Sequence, residues 1–381
     1  MLLLSQIRVA FIVSTLASGG PINVVKGILR HLNRDKFRAM VVTLSPEGKG
    51  SSLQEFLDEG IEVRQLNLSR AGSLFCGPQL LHQILMDAGT QVAHSHGFRA
   101  DLFLAKSSAV GYGMVTTLHS NLKADYILSY GALRGALMAR VEYHALKRFD
   151  RIVAVSASVA DAALKNDTLS CVIQNGVSLE TYSSVDGPSQ KQELRKELAL
   201  PIYSKIFLYS GVLIERKNPL PIIHAFRNLH RSKNCVLVFA GDGPLKRECE
   251  VAAHGADNII FLGGRNDIAD LLKAADFLVS NSESEGLPMA LLEACASGVG
   301  VIASDIPPHK EIQALFPRQV KLFPKGSKEA LLQSMVSAHV LQSRFNNSDP
   351  SIRRALKAVS DKTMSLHYQN LYLEIVQNIS I

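Results

Sequence analysis

The densest chemistry in the chain lies in Asn281-Ser-Glu-Ser-Glu-Gly-Leu-Pro-Met-Ala-Leu-Leu-Glu-Ala-Cys-Ala-Ser-Gly298. An apolar run, Asp276 to Ser280, precedes it and reads as a buried strand ending in polar residues. Gly286 and Pro288 supply a turn, and Pro288 suits the first turn of a helix, where its missing N–H costs nothing. Met289 to Ala296 reads as that helix, and Gly298 as its stop. Glu285 therefore stands just before a helix N-terminus and Glu293 lies within the helix, seven residues intervening. Two carboxylates at the C-terminal edge of a parallel strand accept hydrogen bonds from sugar hydroxyls, and the helix N–H groups beside them meet phosphate. A ligand carrying both groups is a nucleotide sugar. Taken singly, each Glu also has a structural reading, since a carboxylate favours a helix start and a mid-helix Glu is commonly a solvated face.

Further candidate positions close other strands. Ser18-Gly19-Gly20-Pro21 follows the first apolar run, and adjacent glycines let backbone N–H groups approach a phosphate or sugar. The string is not Gly-x-Gly-x-x-Gly, which speaks against a nicotinamide dinucleotide, and it reads equally as a tight turn without a ligand. His94 and His96, two apart on one strand, share a face and raise the question of a metal, but no third ligand is apparent. His94 then reads as structural, and His96, at the strand tip, as a residue that touches an acceptor. His119 ends the next strand, after Val115-Thr-Thr-Leu118. Gly211 opens a loop that carries Arg216 and Lys217; the pair either stabilises an anion or sits as solvated charge. Gly263-Gly264-Arg265-Asn266 follows another strand tip.

Short β-branched runs must position these residues. The first half holds candidate strands at Arg8–Ser14, Arg38–Leu44, Glu62–Leu66, Val92–Ser95, Met114–Leu118, Arg151–Val155 and Cys171–Gln174. The second holds Lys205–Ser210, Cys235–Ala240, Asn258–Leu262, Phe277–Ser280, Val299–Ala303 and Val320–Phe323. Near-continuous apolar strands separated by helical stretches imply parallel sheets covered on both faces. The polar, turn-rich Tyr182–Ser189 marks a break, giving a first domain over 1–185 and a second over 200–362, with a helix at 363–381. Doubly wound domains bind at the C-terminal ends of their strands.

The composition fits that outline. A chain of 381 residues, 47% hydrophobic and 20% charged, is an ordinary two-domain globular mix. The five cysteines are scattered, which argues against zinc and against a disulfide framework and suits a reducing compartment. The opening run from Met1 reads as a first buried strand rather than a signal peptide, and no run is long enough to cross a membrane. A net charge of +7 favours an acidic partner, with nucleic acid ranked last because no Lys/Arg block with interleaved aromatics appears. The stretch Lys123 to Arg151 mixes Tyr126, Ile127, Leu128, Leu133, Leu137 and Met138 with Arg134, Arg140, Lys147 and Arg148. It reads either as a helix packed on its own domain or as a face lying on an anionic membrane.

The Glu, seven residues, Glu string closely resembles the signature of the retaining glycosyltransferases of family 4. That resemblance implies the GT-B fold: α/β, two Rossmann-like doubly wound parallel-sheet domains facing across a cleft, with the C-terminal helix returning to the first. It assigns Glu285, with Gly286, Leu287 and Pro288, to the donor sugar and Glu293 to the nucleotide ribose. Gly19 and Gly20 match the family's glycine-rich loop near donor phosphate and acceptor, and His119 the His that meets the sugar near its reacting carbon. Ser210-Gly211 through Pro219 resembles the phosphate-binding loop, in which an Arg usually follows the Gly; here Val212 stands there, Lys217 is kept, and Arg216 is the guanidinium at hand to replace the missing one. Arg265 would assist where backbone meets the base. The implied activity is retaining, metal-independent and cofactor-free transfer from a nucleoside-diphosphate sugar, UDP favoured, to a glycan or lipid-linked hydroxyl in polysaccharide or lipopolysaccharide synthesis. The implied location is the cytoplasm, including the cytoplasmic face of an anionic membrane. Two other classes stay open: a nucleotide-sugar 2-epimerase, which shares the fold but not Glu-Gly-Leu-Pro, and a catalytically silent nucleotide-binding partner subunit, suggested by Val212.

Overall fold

The computed structural model describes residues 6–48, 50–69, 73–107, 111–184, 187–229, 234–340, 345, 347 and 349–379, with backbone only at 73–75, 339–340 and 379. The start of the opening apolar run, two residues of the polar break and the end of the C-terminal helix lie outside these. The chain forms two compact units, one ending at Gly176 and regaining the chain from Asp361, the other Val177–Ser360.

In the first unit the order is β1 (Ile7–Val13), α1 (Gly20–Arg30), β2 (Phe37–Thr43), α2 (Leu53–Asp58), β3 (Glu62–Gln65), α3 (Ser73–Asp87) and β4 (Val92–His96). Then follow α4 (Phe98–Lys106), β5 (Gly113–Leu118), α5 (Leu122–Tyr130), α6 (Ala132–Leu146), β6 (Arg151–Ala154), α7 (Ala157–Leu164) and β7 (Cys171–Val172). The second unit runs α8 (Pro188–Glu197), β8 (Lys205–Ser210), α9 (Leu220–Leu229), β9 (Cys235–Ala240), α10 (Lys246–Ala252), β10 (Ile259–Gly263) and α11 (Ile268–Ala274). It continues with β11 (Phe277–Ser280), α12 (Met289–Ala296), β12 (Gly300–Ser304), α13 (Pro307–Leu315), β13 (Val320–Phe323), α14 (Lys328–Val340) and α15 (Pro350–Ala358). The last helix, α16 (Asp361–Ile379), belongs to the first unit.

Both sheets are parallel, with strand orders β3-β2-β1-β4-β5-β6-β7 and β10-β9-β8-β11-β12-β13. Strands β5, β9 and β12 are buried at every residue, because helices cover both faces. That is why these strands read as unbroken apolar runs rather than as alternation. Each order reverses once, between β1 and β4 in one unit and between β8 and β11 in the other, and the loops flanking a reversal diverge to opposite faces.

Helix α16 packs on α1 through a close approach at Gly27, where an added Cβ would stand 2.8 Å from Met364 Cε and 3.2 Å from Asp361 Cβ. Arg30 and His31 bind the Asp361 carboxylate at 3.0 and 2.9 Å, fixing the start of the helix. Tyr368 and Tyr372 are fully buried in the core formed by Phe11, Val24, Ile28 and Phe37. The stretch Lys123 to Arg151 is two helices, broken at Gly131, whose φ of 83° only glycine adopts cheaply. Gly135 lets them close: a Cβ there would meet the Tyr126 carbonyl oxygen at 2.5 Å.

Candidate functional site

The second unit builds its site at the β8/β11 reversal. The loop after β8 carries Gly211, Arg216 and Lys217, and the loop after β11 carries Asn281 to Pro288. Backbone and side-chain bonds stitch the two together: Glu283 N–H donates to Arg216 O at 2.8 Å, and Asn281 Nδ2 to Asn218 O at 3.0 Å. Asn218 itself takes φ 46°, a left-handed conformation that Asn tolerates, and its amide reaches Glu283 at 2.9 Å. Ser304 Oγ supports the second loop from β12 by donating to Ser282 O at 2.7 Å.

Glu285 is the centre of this arrangement. Its Oε1 lies 2.5 Å from Lys217 Nζ and accepts from Ser282 Oγ at 2.7 Å, while its Oε2 accepts from Arg216 Nη1 at 3.1 Å. Arg216 also donates to Ser284 O at 3.0 Å, which aims the guanidinium. Burial alone would raise the Glu285 carboxyl, but Lys217 and then Arg216 overcome it and hold the group down at about 2. One carboxylate is thus held between two cations at the strand ends of this unit. Val212, where the resemblance expects an arginine, is 53% exposed, so the guanidinium present among these loops is that of Arg216.

Glu293 follows one turn into α12 and is 6% exposed. Here burial prevails: it pushes the carboxyl up to about 7, against a hydrogen bond with Tyr182 and the pull of Lys217. A carboxyl near that value both donates and accepts, which suits vicinal hydroxyls. Pro288 is the N-cap of α12 in extended conformation rather than a residue of its first turn, and it offers no side-chain cap. The helix stops as the sequence implies, with Gly298 at φ 68°.

Glycines bring the neighbouring loops close. A Cβ at Gly243 would meet Leu213 O at 2.5 Å, and one at Gly241 would run into the Gly211 backbone. Gly211 thus sits under a second strand-end loop, with Lys217 Cε 4.0 Å from its own virtual Cβ. Arg265, at the end of β10, is exposed and turns its fork onto Asp267, Nε to Oδ1 at 2.8 Å, away from the Glu285 cluster's contacts.

The first unit gathers its candidates at the same kind of edge. Gly19 and Gly20 lead into α1, and a Cβ at either would meet nothing within 4 Å, so the turn is open on its outer side. His96 Nδ1 and His119 Nε2 share a hydrogen bond of 2.8 Å across the tips of β4 and β5. His94 lies against His96, the rings tilted by 38° with centroids 4.2 Å apart, and both its nitrogens are engaged, Nδ1 with Tyr372 and Nε2 with Thr117, each at 2.8 Å. Burial holds all three imidazoles below the usual value, His94 at about 3 and His119 at about 4, so they are neutral. Among the described residues no group of three or more His, Cys, Asp or Glu could hold a metal ion.

Sequence reasoning gave no role to Ser282, Tyr182, Tyr368 or Tyr372. Ser282 carried a signal, lying inside the Asn281–Gly298 string three residues before Glu285. The tyrosines carried none, because their partners are 111 residues away or more.

Known proteins give the same picture. Residues 18–181 match the model described as Glycosyltransferase Family 4, and residues 190–337 the one described as Glycosyl transferases group 1. An Escherichia coli protein named UDP-Gal:alpha-D-GlcNAc-diphosphoundecaprenol alpha-1,3-galactosyltransferase is 28% identical over 217 residues, 55% of this chain and 50% of that protein. The E. coli O-antigen biosynthesis glycosyltransferase WclY is 21% identical over 98% of this chain and 99% of its own length. The matched region spans 65%, 50% and 43% of three of the curated relatives. The Anabaena protein HepE, solved in complex with UDP, superposes with a TM-score of 0.75 at 17% identity over 97% of this chain and 100% of that one, a likeness of fold. The two family matches together take in most of the chain, which belongs to the glycosyl transferases of group 1 and has the GT-B fold.

Proposed function

We propose that the chain is a retaining glycosyltransferase that moves a hexose from a nucleoside-diphosphate sugar, UDP-linked, onto a hydroxyl of a glycan or lipid-linked acceptor. The observation that carries this reading is the Glu285 carboxylate clamped between Lys217 and Arg216 at the β8/β11 reversal. As the bond from the sugar's anomeric carbon to the diphosphate oxygen breaks, that oxygen gains negative charge. Lys217 and Arg216, held in place beforehand, stabilise it more than they stabilise the bound donor, and the positive charge comes from side chains without a metal. Glu285, Gly286, Leu287 and Pro288 orient the sugar, and Glu293 takes the ribose hydroxyls.

In the first unit we assign His119 to the sugar, the Gly19–Gly20 turn to phosphate, and His96 to the acceptor. The acceptor hydroxyl loses its proton to the departing phosphate on the same face of the ring, which preserves the anomeric configuration. Support for the donor comes from HepE, solved with UDP and with UDP-glucose, and for the acceptor from the E. coli galactosyltransferase, whose name specifies a diphosphoundecaprenol substrate.

The test is ¹³C NMR of α-linked UDP-hexoses labelled at the anomeric carbon, followed during slow hydrolysis by the protein. Retention predicts the α-hexose as the first product. First appearance of the β-hexose would overturn the mechanism, and conversion to a 2-epimer of the donor would replace transfer by epimerisation.

A further inference from the structure

The α5–α6 pair carries an exposed apolar surface that the packing of the first unit does not use. Helix α6 buries Gly135, Ala139, Glu142, Tyr143, Ala145 and Leu146, so its attachment to its own domain is already provided. The opposite stripe, Leu133, Leu137 and Val141 at i, i+4 and i+8, is 89%, 63% and 42% exposed. Tyr130 and Leu128, at the end of α5, are 55% and 44% exposed. Such a cluster on one hairpin is more than scattered surface apolarity.

Beside it runs a groove of about 780 Å³ between α6 and the end of α7. Lys123, Arg140, Lys147 and Lys165 line it, with Leu137 on its wall and Asp167 as its acid. All four cations are exposed, and none has an ion-pair partner among the described residues. Unpaired cations at the foot of an exposed leucine ridge match one surface chemistry: phosphate headgroups above acyl chains.

We propose that this flank is a docking surface for an anionic lipid bilayer, with the groove seating headgroup phosphates while Leu133 and Leu137 enter the acyl boundary. Nothing in the proposal depends on the transfer chemistry. It goes further than that reading by naming the face of the protein that meets the lipid.

Co-sedimentation of the full chain with vesicles tests it, comparing phosphatidylcholine alone with a mixture containing phosphatidylglycerol. Retention is expected on the anionic vesicles only, and raised salt should weaken it. Each cation near such a surface contributes roughly fivefold, so Arg140→Gln/Lys147→Gln/Lys165→Gln should bind about a hundredfold more weakly. Leu133→Ser/Leu137→Ser should lose tenfold or more while keeping its salt dependence. All five positions are exposed, so unchanged thermal midpoints establish that the variants fold. Equal retention on neutral vesicles, no retention on either, or unchanged retention in both variants would overturn the proposal. So would a wild-type dimer in gel filtration that the leucine variant converts to monomer, since a second copy would then cover the face. Nucleotide binding, measured on the same samples, reports on the other unit and separates this failure from a failure of the donor site.

Discussion

Glu285→Gln offers a prediction whose sign and pH window both follow from the geometry. The carboxylate is 6% exposed, with Lys217 Nζ at 2.5 Å and Arg216 Nη1 at 3.1 Å. Burial pushes its pKa up and the two cations pull it further down, leaving it at about 2 against an ordinary value of 4.5. A folded-state value depressed by that much contributes about 3 kcal/mol. The contribution is complete above the unfolded value and is lost as pH falls from about 4.5 to about 2. Glutamine keeps the volume and the Ser282 contact but not the charge. The variant should therefore be less stable by about 3 kcal/mol at neutral pH, with the gap constant down to mildly acidic pH and closing below it. Glu293→Gln should behave in the opposite way. Its carboxyl is raised to about 7, so the wild type loses stability as pH rises from about 4.5 to about 7. That variant should match the wild type in acid and exceed it by about 3 kcal/mol above neutrality. Urea unfolding followed by circular dichroism across the acid-to-neutral range measures both. Gaps that do not vary with pH, or that share one sign in the two variants, would refute the reasoning.

Other positions make separable predictions. Asp101 and Glu142 are buried against each other, with Ser95 at 2.5 Å and Thr116 at 2.7 Å from Asp101 and Tyr126 at 2.5 Å from Glu142. Burial raises both carboxyls, so the wild type should lose stability as pH rises above the usual carboxylate range. Glu142→Gln should flatten that loss, measured as the thermal midpoint against pH. Tyr372→Phe leaves His94 Nδ1 buried without its partner and should cost about 1–3 kcal/mol in urea unfolding. Gly27→Val forces Met364 away from the α1–α16 contact and should cost a similar 1–3 kcal/mol or more. By contrast, Gly20→Ala should leave the unfolding free energy within about 0.5 kcal/mol of the wild type, because its Cβ points into open space.

The inner strands were legible because they are largely buried on both faces, and a run such as Cys235–Ala240 has no polar alternation to confuse its limits. Helix α12 was legible to the residue, since Pro288 and Gly298 punctuate it at both ends. The break of the Lys123–Arg151 stretch at Gly131 was not read, because Leu133 and Leu137 continue the apolar content past it on a face that turns out to be solvent. Lys217, Arg216 and Glu285 could be named but not joined: their contacts span 68 and 69 residues and depend on how the two loops are stitched. The Tyr372–His94 and Tyr368–Thr117 bonds span 278 and 251 residues, and no local pattern announces them. Ionisation was hidden for the same reason. Two glutamates in one string hold opposite states because one faces two cations and the other faces a tyrosine and apolar packing.

The account stands on a diphosphate site made by Lys217 and Arg216, and calorimetric titration of UDP, GDP and ADP into the wild type and Lys217→Met tests it most directly. One of the three nucleotides, UDP in our reading, should bind the wild type, and the variant should bind it ten- to a hundredfold more weakly, the worth of a charged hydrogen bond. Absence of binding by all three, or binding that survives unchanged in a folded Lys217→Met protein, would contradict it.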